Sequence, residues 1–287
     1  MLTHKNPHAI IPHEGVLHPA KGYMATRIIQ EHSLATAQLI DQRMEGPRRS
    51  NLTFAVSEHC SAPIGLDRLR RVREPVSRSK SGVQGKVADL AGGRSRHAES
   101  QNELKAFQVL MATADSDLWQ EQPLFIEYHH QGTKHRYTPD VLVVWGTHHE
   151  VVEIKEDTEA DSPENRTRFV LIRELLAEHG FIFRVWKKSE ICAEPRLANA
   201  TLILRYRSVR VLPPDYERIR HAFSSTSVLC LRTFCETPLV VQHVLRLVLD
   251  GKLHIDWWEP LGLDSRISTS PIGRQVWPYP PSRSAGG

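Results

Sequence analysis

Three acids and one lysine carry the chemistry legible in this chain. Asp140 lies in Pro139-Asp140-Val141-Leu142-Val143-Val144, Glu153 and Lys155 lie in Val151-Val152-Glu153-Ile154-Lys155, and Glu103 lies upstream in Ser100-Gln101-Asn102-Glu103-Leu104. Acids and an ammonium set among β-branched residues are expensive to bury unless they find partners. In an extended strand, residues two apart share a face, so Glu153 and Lys155 point one way while Val152 and Ile154 point the other. A hairpin through Trp145-Gly146-Thr147-His148-His149 would bring Asp140 alongside that charged face. Two carboxylates and an ammonium on one side of a sheet can hold a divalent metal with an electrophilic helper.

The elements that must position these groups follow from periodicity. Leu104, Phe107 and Met111 fall at helical spacing, so residues 100–112 are expected to form a helix capped by Ser100. Glu103 then sits in the first turn, where the helix dipole favours a carboxylate. A capping-box role for Glu103 stands beside a catalytic one. Strands are expected at Leu124–Tyr128, 136–145 and 149–155. Ser162 and Pro163 open a helix that runs to about Glu178, with Phe169, Ile172 and Leu176 on one face and Gly180 beyond its end. The run Phe181–Trp186 is expected as a buried strand.

A helix acid, then Pro-Asp on a strand, then Glu-x-Lys on the next strand resembles the PD-(D/E)XK nuclease superfamily, whose αβββαβ core the expected elements also follow. Within it the chain resembles TnsA-type transposon end endonucleases. The motifs that carry this are Glu99-Ser100-x-x-Glu103-Leu104, Glu121-Gln122-Pro123, Tyr137-Thr138-Pro139-Asp140 and Glu153-Ile154-Lys155. The resemblance spans roughly residues 66–190, and more loosely to 265. The resemblance implies a restriction-endonuclease-like α/β fold and a metal-dependent DNA endonuclease subunit of a heteromeric transposase. That subunit would cleave one strand, the 5′ side, at transposon ends. Asp140 and Glu153 would hold Mg²⁺ or Mn²⁺ with the Ile154 backbone carbonyl, Glu103 would complete the shell, and Lys155 would orient the attacking water. Glu99 lies four residues before Glu103 on the same helical face, so either could be the helix acid; Glu103 is preferred. Gln122 is a further candidate. The implied partners are transposon-end DNA, a TnsB-like DDE transposase and a TnsC-like AAA+ ATPase.

Composition is compatible with this. The 287 residues are 40% hydrophobic and 24% charged, as in globular proteins. No apolar run approaches the roughly 20 residues that span a bilayer, and the start lacks a signal-peptide core, so no membrane role and a cytoplasmic, nucleoid-associated bacterial location are expected. Cys60, Cys192, Cys230 and Cys235 form no Cys-x-x-Cys pair. The net charge is only +4, yet residues 66–98 hold nine basic residues against three acidic ones. Arg68, Arg70, Arg71, Arg73, Arg78, Lys80, Lys86, Arg94 and Arg96 could simply be solvated; contact with a phosphate backbone is preferred.

The expected organisation is an N-terminal extension at 1–65 with no assigned role, a basic arm at 66–98, the nuclease domain at 99–194, a winged-helix-like α domain at 195–264 and a flexible tail at 265–287. The winged helix rests on helices at Asp215–Phe223, Ser227–Cys235 and Pro238–Leu249, followed by a small strand at Leu253–Trp257. Its last helix is nearly apolar all round, which suits partner docking better than base readout. Two other functions fit the same residues: a stand-alone restriction- or repair-type nuclease of the superfamily, and a non-catalytic DNA-binding scaffold. Choosing Glu103 over Glu99 makes a testable statement. Glu103→Ala should abolish cleavage and Glu99→Ala should retain it in a nicking assay.

Overall fold

The computed structural model describes residues 50–56, 69–72, 85–89, 94–113, 118–145, 148–274 and 276. The N-terminal extension up to residue 49, the cations Arg68, Arg73, Arg78 and Lys80, and residues 277–287 lie outside the described residues. The elements in chain order are β1 (Ser50–Val56), β2 (Leu69–Arg70), β3 (Gly85–Asp89), β4 (Arg94–Ala98), α1 (Gln101–Ala112), β5 (Leu118–Glu121), β6 (Leu124–His130), β7 (Thr133–Tyr137), β8 (Val141–Trp145) and β9 (His148–Lys155). Then come α2 (Asp157–Ala160), α3 (Pro163–Glu178), β10 (Ile182–Lys187), α4 (Lys188–Ile191), α5 (Arg196–Leu204), α6 (Pro213–Ala222), β11 (Val228–Cys230), a 3₁₀ turn (Leu231–Phe234), α7 (Pro238–Leu249) and β12 (Arg266–Ser268).

The central sheet runs β10-β9-β8-β5, with β10 parallel to β9 and the other pairs antiparallel. Its two faces feed two cores. Val141, Val143, Val152 and Ile154 pack with Phe107 and Leu110 of α1, whereas Leu142, Val144 and Val151 pack with Phe169, Ile172 and Leu176 of α3. Each such buried side chain contributes roughly 1.5–3 kcal/mol. A one-residue slip of β9 would exchange these faces and drive Glu153 into the α1 core, so the register is strongly specified. That register sets the side on which Glu153 and Lys155 emerge.

The restriction-endonuclease-like order therefore forms as α1, β5, β8, β9, α3, β10. Its first strand differs from the expected one. Leu124–Tyr128 lies in a second sheet, β2-β1-β6-β7, and the short segment Leu118–Glu121 takes the edge position beside β8. Gln122, with φ of +41°, makes the bend that sends the chain from one sheet to the other. The expected strand 136–145 is likewise divided between the sheets at Thr138, Pro139 and Asp140; Pro139 has no N–H to continue a ladder. The helix ends behave as anticipated. The Ser100 and Ser162 hydroxyls accept from the N–H groups of Glu103 and Asn165, and Pro163 opens α3.

Two further corrections concern the basic segment and the C-terminal half. Residues 85–98 are not a bare arm but include a β3–β4 hairpin. Arg96 on β4 is buried, its Nη1 2.9 Å from Glu121 Oε2 and its guanidinium stacked 4.3 Å over Trp119. It is a core cation, not a phosphate contact. Arg71 is half-buried, while Arg70, Lys86 and Arg94 stand on β2, β3 and β4.

Downstream, Ser227–Cys235 is not a helix. The Leu231 and Arg232 N–H groups donate to the carbonyls of Ser265 and Leu263, so distant backbone captures donors that a helix would have used. Leu253–Trp257 forms only a bridge from His254 to Ser268. Two α-helices, a 3₁₀ turn and the β11–β12 ribbon thus stand where three helices and a wing were expected. Nor is the tail free at its start, since Ile267 and Val276 are buried. Fully buried Arg196 donates to the carbonyls of Val276, Ile191 and Glu190, which ties this part to α4 and α5. Helix α1 shares its core with α5 and α7, so one hydrophobic core runs from Ala98 to Val276.

Breaking a buried ion pair strands a charge and costs about 3–5 kcal/mol. Arg96→Ala should therefore lower stability by about that amount in urea denaturation, and leave the salt dependence of DNA binding unchanged.

Candidate active site

The site is built where β8 begins and β9 ends. Gln122 N–H donates to the Asp140 carbonyl at 2.8 Å, and Asp140 N–H donates to the Val152 carbonyl at 3.1 Å. These bonds hold Asp140 beside the Glu153–Lys155 end of β9. Its carboxylate then accepts the Ile154 N–H on Oδ2 at 2.6 Å, taking the place that a strand carbonyl would fill. In a strand the N–H and C=O of one residue point to the same side, so the Ile154 carbonyl opens toward Asp140 as well. Gln122, chosen from sequence as a candidate, acts here through its backbone.

Glu153 is buried and heavily engaged. Lys155 Nζ lies 2.9 Å from Oε1, Arg168 Nη2 lies 3.7 Å from the same oxygen, and the Tyr137 hydroxyl donates to Oε2 at 2.5 Å. Burial opposes charge on Lys155, but the field and hydrogen bond of Glu153, with help from Asp140, outweigh it and raise the amine's pKa. Lys155 is an ammonium here. Burial and the neighbouring Glu153 push the Tyr137 phenol far up, so it remains a donor.

Glu103 is buried at the start of α1, and Glu99 is half-buried one turn earlier. The Glu103 Oε2 accepts the Glu99 N–H at 2.9 Å. In this conformation Glu103 serves as a cap, and it reaches one residue further back than the capping box predicts. Burial raises its pKa, against the hydrogen bonds that lower it. Helix α1 is pinned to the end of β9 by Asn102, whose Nδ2 donates to Glu156 Oε1 at 2.9 Å. Glu156 is thus committed to Asn102 and Lys188.

Asp140 feels all of this. Burial raises its pKa well above the ordinary value, and the charges of Glu153 and then Glu103 add to the rise. Three acids far apart in sequence therefore share one electrostatic neighbourhood. They do not yet share a ligand position: among the described residues no three His, Cys, Asp or Glu side chains form a group that could hold a metal ion as they stand. Each carboxylate is turned to a protein donor instead. Mutual repulsion among hard oxygen donors is what a divalent cation relieves, so the donor chemistry fits Mg²⁺ or Mn²⁺.

Two participants escaped sequence reasoning. Tyr137 was visible only as part of a motif, without a role. Arg168 carries no local signal, being one of several arginines on α3.

The order α1, β5, β8, β9, α3, β10 is that of a restriction-endonuclease-like α/β fold. Residues 117–188 match the family model described as TnsA-like endonuclease N terminal. This stretch is thus similar to the N-terminal domain of TnsA-like endonucleases. The matched stretch includes Asp140, Glu153, Lys155, Tyr137 and Arg168, and it begins after Glu103. No curated protein matches the chain.

A raised carboxyl contributes stability that is present below its unfolded pKa and lost as pH rises through the folded one. Asp140 therefore weakens the metal-free fold above the ordinary value of 3.8. Asp140→Asn should raise the metal-free melting temperature by about 2–4 °C at pH 8 and have little effect near pH 4. Calorimetric scans at both pH values check this.

Proposed function

We propose that this chain is the metal-dependent DNA-cleaving subunit of a heteromeric transposase, and that it hydrolyses one strand, on the 5′ side, at transposon ends. The observation that carries the reading is the meeting of Asp140 with Glu153 and Lys155 across β8 and β9, inside the stretch that matches the nuclease family. Asp140, Glu153, the Ile154 carbonyl and Glu103 would hold Mg²⁺ or Mn²⁺. When bound, the cation supplies charge neutralisation and a water of lowered pKa.

The remaining chemistry belongs to the chain. Water attacks phosphorus in line and the bond to the leaving oxygen breaks. Lys155 faces the reacting phosphate as a fixed positive charge, orients the attacking water and offsets the charge that builds on the non-bridging oxygens. Tyr137 keeps Glu153 from rotating. The Asp140–Ile154 bond keeps the first carboxylate at the end of its strand. Glu103 must leave its cap at Glu99 to join the site, an exchange of one hydrogen bond.

The partners follow from the same reading: transposon-end DNA, a TnsB-like DDE transposase that recognises the ends, and a TnsC-like AAA+ ATPase. Among the described residues no helix is long and apolar enough to cross a membrane.

The test combines purified chain, end DNA and a TnsB-like partner transposase. Nicking of one strand should need both the partner and Mg²⁺ or Mn²⁺. Lys155→Ala should slow it by about 10²–10³-fold. Cleavage by the chain alone would favour a stand-alone nuclease, and an Asp140→Ala variant that still supports cutting of that strand would favour a scaffold.

A further inference from the structure

Arg168 on α3 reaches the site described above. Its neighbour Phe169 is buried in the α3 core, which fixes where the Arg168 side chain starts. The guanidinium lies 5.8 Å from the Tyr137 ring centroid and 5.2 Å from that of Phe169, close enough for both ring faces to attract it. One end faces Glu153 Oε1 at 3.7 Å, while 43% of the side chain stays open to solvent.

Glu153 does not need this residue for neutralisation. Lys155 already sits 2.9 Å from the same oxygen, and Tyr137 already satisfies the other. Two cations therefore face one carboxylate, and the charge of Arg168 works against the proton on Lys155. The open guanidinium of Arg168, beside the half-buried Lys155, is placed to meet an anion from outside. A planar guanidinium matches two phosphate oxygens in a way that a point-charge ammonium does not.

We propose that Arg168 is a substrate-holding residue, which takes the non-bridging oxygens of the same phosphodiester that Lys155 faces. This rests on the nuclease reading of the site. In the free protein Glu153 occupies Arg168 as a stand-in anion, and bound DNA replaces it.

The test uses the full chain and a fluorescein-labelled duplex of about 30 base pairs, titrated by anisotropy in metal-free buffer across a salt series. Arg168→Gln should weaken binding about 3–10-fold and reduce the log–log salt slope by about 0.9, the loss of one phosphate contact. Arg168→Lys should restore the slope but only part of the affinity. Arg168→Gln combined with Lys155→Gln should lose less than the sum of the single losses, because both hold one phosphate. An unchanged slope in Arg168→Gln overturns the proposal, as does strict additivity. Mn²⁺ calorimetry separates the alternatives. If Arg168→Gln cuts Mn²⁺ affinity while DNA binding is intact, the residue merely supports Glu153 and the proposal falls. If Asp140→Ala and Glu153→Ala bind Mn²⁺ like the unaltered chain, the nuclease reading fails on its own, whatever Arg168 does to the salt slope.

Discussion

A carboxylate stands in for a strand carbonyl at the centre of this structure: Asp140 Oδ2 accepts the Ile154 N–H just where β8 gives out. Everything else about the site follows from that substitution. Pro139 cannot donate to a ladder, so the chain enters β8 only at Val141, and the last inward-facing donor of β9 is left for a side chain. A single hydrogen bond thereby sets an acid against the Glu-x-Lys end of the next strand. The cost is a carboxyl that burial and two neighbouring acids hold far above its usual pKa.

The surroundings show how that cost is offset. Each acid is given a donor from the protein: Ile154 N–H for Asp140, Glu99 N–H for Glu103, and Lys155, Tyr137 and Arg168 for Glu153. Such bonds compensate the desolvation of each charge but not the repulsion between them. The arrangement is therefore stable as a fold and still electrostatically tense. By contrast, Arg96 and Glu121 are both deeply buried and meet at 2.9 Å, Gln120 bonds to both, and Arg96 stacks on Trp119. That pair is a fold element: a cation and an acid meet away from solvent.

The C-terminal half enters the same argument through packing. Helix α1 carries Glu103 on its first turn and presses its apolar face against both the central sheet and α5. The position of the helix acid is thus coupled to the core shared with α5 and α7. Arg196 reinforces this by gathering the carbonyls of Glu190, Ile191 and Val276 around one buried guanidinium.

Sequence alone determined the local stage on which Glu153, Lys155 and Glu103 stand. The alternation in β9 dictated that Glu153 and Lys155 share a face, and the Ser100 and Ser162–Pro163 signals placed the starts of α1 and α3, because caps and strand parity are properties of adjacent residues. Tertiary structure decided what depends on distant partners. It chose Leu118–Glu121 over Leu124–Tyr128 as the strand beside β8, because one bend at Gln122 sends the chain to another sheet. It withdrew Arg96 from the surface by supplying Glu121, and it unmade a helix at Ser227–Cys235 by offering the carbonyls of Leu263 and Ser265. It also brought Tyr137 and Arg168 to Glu153. No spacing along the chain encodes that meeting, since it depends on α3 crossing the sheet on the face that β9 leaves charged.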